Sequence, residues 1–200
     1  EQHVDLNKLS SNEMSIVRQH HYMKDMDVIR FNIYNTKHSF VSSDFKRVKT
    51  KDLGKPTLCK TIVFISDTGF SSGVHRWAIK SHDSSSGYNA VGIVSNYQCV
   101  NDSDNHLDFY VSWPDHVLVY YTNGDIDHRK DGRKVHSISS KKKWSTGDTI
   151  TVCLNCETWK LSFHKDGMMI GAEIDVPPNI KYFPALRCCT CKGHDYEILM

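Results

Sequence analysis

Between residues 150 and 176 the apolar positions recur every second residue. Ile150, Val152 and Leu154 alternate with Thr151 and Cys153, and a turn follows at Asn155–Thr158. Trp159, Leu161 and Phe163 then alternate with Lys160, Ser162 and His164, up to Asp166-Gly167. Period two places one set of side chains on one face of an extended strand. Asp-Gly supplies the positive φ that a two-residue hairpin demands. Met168–Val176 reads as the returning strand and Pro177-Pro178 as its stop. A chain with this texture pairs neighbouring strands; it does not build helices.

The same texture extends upstream. Val28–Ile33, His38–Val41, Thr61–Ile65, Val74–Lys80, Asn89–Val94, Phe109–Val111 and Val117–Tyr121 read as strands. Tyr182–Leu186 and Tyr196–Leu199 close the series. Asp67-Thr68-Gly69, Trp113-Pro114-Asp115, Asn123-Gly124 and Asp131-Gly132 punctuate it. Within Val74–Lys80, His75, Trp77 and Ile79 share a face and Val74 is offset by one. Many short strands with turns every few residues predict an all-β fold, a two-sheet antiparallel β-sandwich. Residues 1–27 are polar and read as a linker, with a short helix around Ser11–His20 capped by Ser11 or Asn12. The sandwich is expected over residues 28–200.

Composition narrows the function. The chain has 200 residues, with 25 Lys and Arg against 23 Asp and Glu. That balance argues against a dedicated nucleic-acid binder. No apolar run approaches the roughly 18 residues of a membrane span, and residues 1–30 hold no signal-peptide core. Seven cysteines, an odd count, are expected as reduced thiols in an intracellular, cytoplasmic protein.

Motifs with catalytic associations have plainer readings. Gly69-Phe70-Ser71-Ser72-Gly73 fits G-x-S-x-G, but an alternating strand follows where a nucleophile elbow needs a helix. Cys153-x-x-Cys156 and the Cys188, Cys189, Cys191, His194 set lack a second C-x-x-C, and buried thiols are expected instead of zinc. The twelve histidines are scattered and Lys141-Lys142-Lys143 reads as a solvated loop. No cofactor, metal or catalytic residue is expected.

Several segments, in order, resemble the SPRY domain. Phe70-Ser71-Ser72-Gly73-Val74-His75-Arg76-Trp77-Ala78-Ile79 is similar to that family's "fSSGkhYWEv" strand. Ala90-Val91-Gly92-Ile93-Val94 is similar to "vGva", and Trp144-Ser145-Thr146-Gly147-Asp148-Thr149-Ile150 to "f..GDvI". Leu161-Ser162-Phe163-His164-Lys165-Asp166-Gly167 resembles "lsFykNG", and Gly171 with Tyr182-Phe183-Pro184-Ala185 the closing "lG...lyPav". Arg76 and Ala78 depart from the pattern, standing where the family has an aromatic residue and Glu. The resemblance implies a concanavalin-like sandwich. It also implies a non-enzymatic module that grips a peptide or protein through loops, often as the substrate-reading part of a ubiquitin ligase or signalling scaffold. Trp77, Ile79, Leu161 and Phe163 would then face the core. Gly73, Gly92 and Gly171 would allow bulges or close approach.

Recognition is expected in the loops at the sheet ends. Residues 95–108, 112–116 and 121–133 read as those loops from their polarity. Aromatic, Arg, His and Asp side chains within them supply the anchors, namely Tyr97, Asp102, His106, Trp113, Asp115, Tyr121, His128 and Arg129. The expected partner is a protein or peptide, with no nucleic acid and no membrane. A carbohydrate-binding lectin-like sandwich is the alternative; the Asp102, Asp104, Asn105, Asp108 run is its calcium candidate, though it fits no EF-hand loop.

Overall fold

The computed structural model describes residues 31–33, 39–43, 46–51, 61–66, 68–84, 89–95, 116–189 and 193–199. Fourteen strands run through them: β1 Phe31–Ile33, β2 Ser39–Val41, β3 Arg47–Thr50, β4 Thr61–Ser66, β5 Val74–Ser84, β6 Ala90–Ser95 and β7 His116–Tyr121. They continue as β8 Asp125–Lys130, β9 Arg133–Ser139, β10 Thr149–Asn155, β11 Lys160–Lys165, β12 Met168–Asp175, β13 Tyr182–Cys189 and β14 His194–Leu199. Two seven-stranded sheets result, ordered β1-β4-β13-β6-β7-β8-β9 and β12-β11-β10-β5-β14-β3-β2. The strand pairs are antiparallel, so the expected sandwich is what the chain forms.

The hairpin arithmetic holds in register. Val152 pairs with Phe163 on one side and with Trp77 on the other. Asp166 and Gly167 take φ of 48° and 83° at the β11–β12 turn. Gly171, at φ 69°, lies on β12 where its pairing with β11 shifts register between Leu161 and Phe163. Period two then sends Trp77, Ile79, Ile150, Val152, Leu154, Leu161 and Phe163 inward, where all are buried. The first sheet contributes Val91, Ile93, Leu118, Tyr120, Tyr182 and Leu186 to the same core. Truncating a fully buried aromatic such as Trp77 costs about 3–5 kcal/mol. Arg76, the departure next to it, points the other way and is exposed.

Sequence periodicity misses three strands. β3 is short and buries only Val48 and Thr50. β8 and β9 lie at the edge of the first sheet, where a strand needs few apolar residues. Residues 121–133 are therefore not one loop: β7 ends at Tyr121, a tight turn follows, and β8 occupies Asp125–Lys130. The N-terminal segment 1–27 and the expected strand Phe109–Val111 lie outside the described residues.

The first sheet is apolar on its outer side as well. Ile65, Ala90, Val94, Val117, Val119, Tyr121 and Ala185 form a second buried cluster there. This is why all six residues of β6 are buried. At Gly92 the two central strands β6 and β7 come so close that an added Cβ would sit 2.0 Å from the backbone oxygen of Leu118. The atoms it would meet are all β7 backbone, which leaves no soft side chain to yield. Gly92→Ala is expected to destabilise the fold by about 1–3 kcal/mol or more, read as a lowered urea midpoint at unchanged slope.

Candidate functional site

Strands β6 and β7 meet at one end of the first sheet, where the connection between them leaves and returns. The His116 backbone N–H donates to Ser95 Oγ at 2.8 Å and ties the two strand ends together. Tyr182 pairs with Ser95 on the other side, and Lys130 with His116. Phe70 bridges to Tyr182 with two backbone bonds of 2.7 and 2.9 Å, so the loop before β5 joins the same end.

Two polar groups sit there on rigid strands. The first is a histidine pair. His116 Nδ1 and His128 Nε2 lie 2.9 Å apart, with ring centroids at 5.2 Å. One nitrogen donates and the other accepts, so the contact holds a single proton. His136 on β9 pairs directly with His128. Burial, then His116, His136 and Lys130, hold the His128 imidazole below its ordinary 6.5.

The second group turns to the outer side. Asp127 is nearly fully buried, and Ser137 Oγ donates to its Oδ1 at 2.6 Å. Lys134 Nζ reaches the same oxygen at 3.0 Å, and Arg129 stands 3.5 Å from Oδ2. A buried carboxylate with two cations and a hydroxyl fixes these side chains in place. Arg129 also reaches the Gly132 carbonyl at 3.5 Å.

The expected anchors divide accordingly. His128 and Arg129 stand at this end on adjacent positions of β8, facing opposite sides of the sheet. Tyr121 does not join them. It is at the far end of β7, four residues or about 13 Å along the strand from Val117, which pairs with Arg129. Its ring lies in the outer apolar cluster, with the Arg187 guanidinium 5.9 Å from its centroid. Tyr97, Asp102, His106, Trp113 and Asp115 lie outside the described residues, as does the calcium candidate run. Lys134, His136 and Ser137 escaped sequence reasoning, because β9 itself was not visible as a strand. The cross-strand repeat of His128 and His136 was the available signal.

Ser71 is exposed, and β5 follows it as a strand, so the strand–turn–helix elbow is absent. His75 directs Nε2 to the Ser72 carbonyl oxygen at 2.6 Å and stacks on Phe70 at 3.7 Å. Cys156 and Cys188 are buried thiols, and burial pushes both pKa values up. Among the described residues no group of three His, Cys, Asp or Glu side chains is placed to hold a metal. No described helix is long and apolar enough to cross a membrane.

The histidine pair predicts an acid-side loss of stability. His128 binds its proton less readily folded than unfolded, so the unfolded state takes up more protons and stability rises with pH. Its contribution is complete above the unfolded value near 6.5 and is lost as pH falls through 6.5 toward the depressed folded value. Melting temperature measured from pH 7.5 to 5 should therefore fall more steeply for the wild type than for His128→Gln.

No protein-family model matches the chain, and no curated protein matches its sequence. Solved structures do match its fold. The SPRY domain of human HERC1 superposes with a TM-score of 0.57 at 18% identity, covering 84% of this chain and 96% of that one. A second human SPRY domain gives 0.55 at 18% identity, covering 81% and 94%. The TRIM65 PSpry domain gives 0.59 at 13% identity, covering 92% and 96%. With two antiparallel sheets in this order, and near-complete coverage of each of these structures, the chain has the SPRY-domain fold.

Proposed function

We propose that the chain is a non-catalytic protein-interaction module. It grips a peptide or protein surface with the sheet end where the β6–β7 connection leaves and returns. The observation that carries this is the pairing of the SPRY fold with a rigid polar platform at that end. His128 and Arg129 are fixed by His116 and Asp127 before any partner arrives. Fixed side chains lose little entropy on binding, which favours affinity. The neighbouring connection carries Tyr97, Asp102, His106, Trp113 and Asp115, residue types that anchor interfaces. Service as the substrate-reading part of a ubiquitin ligase or signalling scaffold, inside the cell, is the finer form of the same proposal. It is supported by the motif resemblance alone.

Affinity capture from cell lysate, read by mass spectrometry, tests it. The baits are the wild type and a Tyr97→Ala, Trp113→Ala variant, which leaves the Asp127–Arg129 pair intact and is checked for an unchanged melting temperature. A partner held by the wild type should be lost by the variant. A buried anchor contributes on the order of 2 kcal/mol, so the joint loss should exceed about thirtyfold in Kd. Equal retention by both baits would clear this end of the sandwich.

A further inference from the structure

β9 forms one margin of the first sheet, with β8 on its only paired side among the described residues. Of its seven residues, Arg133–Ser137 and Ser139 are exposed, and Ile138 alone tucks against the core. No described backbone bond runs to its far side. In an antiparallel strand, alternate residues turn both N–H and C=O away from the partner. Among the described residues β9 therefore presents an open row of donors and acceptors. A bulge at the step from His128 to Arg129 leaves Val135 unpaired, 59% exposed. From His136 to Ser139 the ladder is regular.

Charge then discriminates among occupants. Residues 125–143 contain seven Lys and Arg against three Asp, a surplus of four in a chain whose total is +2. Asp127, one of the three, is consumed by Arg129 and Lys134. Lys130, Arg133, Lys141 and Lys143 are exposed and have no carboxylate partner among the described residues. A second copy of β9 would bring two such surpluses within one strand spacing, about 4.8 Å. That repulsion disfavours self-pairing, the usual hazard of an open edge. An acidic strand meets the opposite sign.

We propose that β9 is a docking edge for an extended acidic peptide, which adds to the first sheet as an eighth strand beyond β9. Main-chain bonds supply the attachment and the flanking cations supply the selectivity. Strand addition at β9 draws on main-chain groups and the cations beside them, and does not need Tyr97 or Trp113. Partner capture at the sheet end and peptide addition at β9 therefore succeed or fail independently.

The test uses the full 200-residue chain and a fluorescein-labelled peptide of four Glu-Val repeats, read by anisotropy. Two further peptides carry N-methyl groups on the Glu amides or on the Val amides, with charge unchanged. The protein variant is Lys130→Glu, Arg133→Glu, Lys141→Glu, whose three side chains are exposed, and its melting temperature is checked against the wild type. The unmodified peptide should bind, with affinity falling as salt rises. N-methylation in one of the two registers should weaken it at least about tenfold, since several main-chain bonds are lost together. The triple variant should weaken it at least as much. Amide exchange at residues 133–139 should slow on peptide addition. Absence of binding up to about 1 mM overturns the proposal. So does equal affinity of both N-methylated peptides, which would mean charge attraction without strand addition. Concentration-dependent self-association that the peptide fails to disperse would make a second copy the occupant, and would overturn it too.

Discussion

The layer between the sheets governs the rest of the molecule. Trp77 and Ile79 from β5, Val152 and Leu154 from β10, and Phe163 from β11 face Leu118 and Tyr120 from β7 and Tyr182 and Leu186 from β13. None of these strands is stable alone, because a single sheet exposes its apolar face to water. Once the layer closes, strand direction, register and tilt are fixed, and so are the positions of everything carried at the strand ends. The Ser140–Asp148 segment reinforces the closure from the side. Tyr120 donates its hydroxyl hydrogen to the Lys142 carbonyl oxygen, and Gly147 N–H donates to Ser81 O on the second sheet at 2.7 Å. This packing fixes the strands that carry the polar platform at the β6–β7 end, and the platform's own contacts then hold its side chains.

What the sequence disclosed follows from what each strand must bury. β5, β10 and β11 lie inside the second sheet and face the core, so Trp77, Val152 and Phe163 appear at period two and were placed correctly. The turn chemistry was equally plain, because Asp166-Gly167 answers to backbone sterics alone. β8 and β9 left no such trace. At a margin, Ile126 and Ile138 suffice to anchor a hairpin whose other residues remain polar, and polarity reads as loop. The site suffered for the same reason. His128 and Arg129 read in the sequence as loop residues and are strand residues held by cross-strand partners. Tyr121 reads in the sequence as an aromatic anchor of the 121–133 loop and instead lies in an apolar cluster on the outer side of the sheet. A sheet buried on both faces gives continuous apolar strands, so alternation cannot show which face a residue takes.

The two polar groups at the β6–β7 end use different physics. Asp127 is held by charge: two cations and a hydroxyl offset the cost of burying a carboxylate. The histidine pair is held by one shared proton, so its bond depends on the pH of the surroundings. The second group is therefore a conditional fixture. The two groups stand one residue apart on β8, on opposite sides of the same strand.

The order of strands has a bearing on how the molecule comes into being. β13 lies between β4 and β6, and β14 between β5 and β3. The last two described strands, within residues 182–199, are thus interior members of both sheets. While the chain is being synthesised, β4 and β6 have no common neighbour, and β5 and β3 have none either. Residues through β13 must leave the ribosome before the first sheet can become continuous, and residues through β14 before the second can. Until then several strand margins stay open, the state in which β-rich chains are most prone to pair with the wrong partner. Long-range pairing of this kind also slows folding, because loop closure comes before the contacts that reward it. Production of this protein is therefore sensitive to the interval between translation of β6 and release of β14, a vulnerability written into its topology rather than into any single residue.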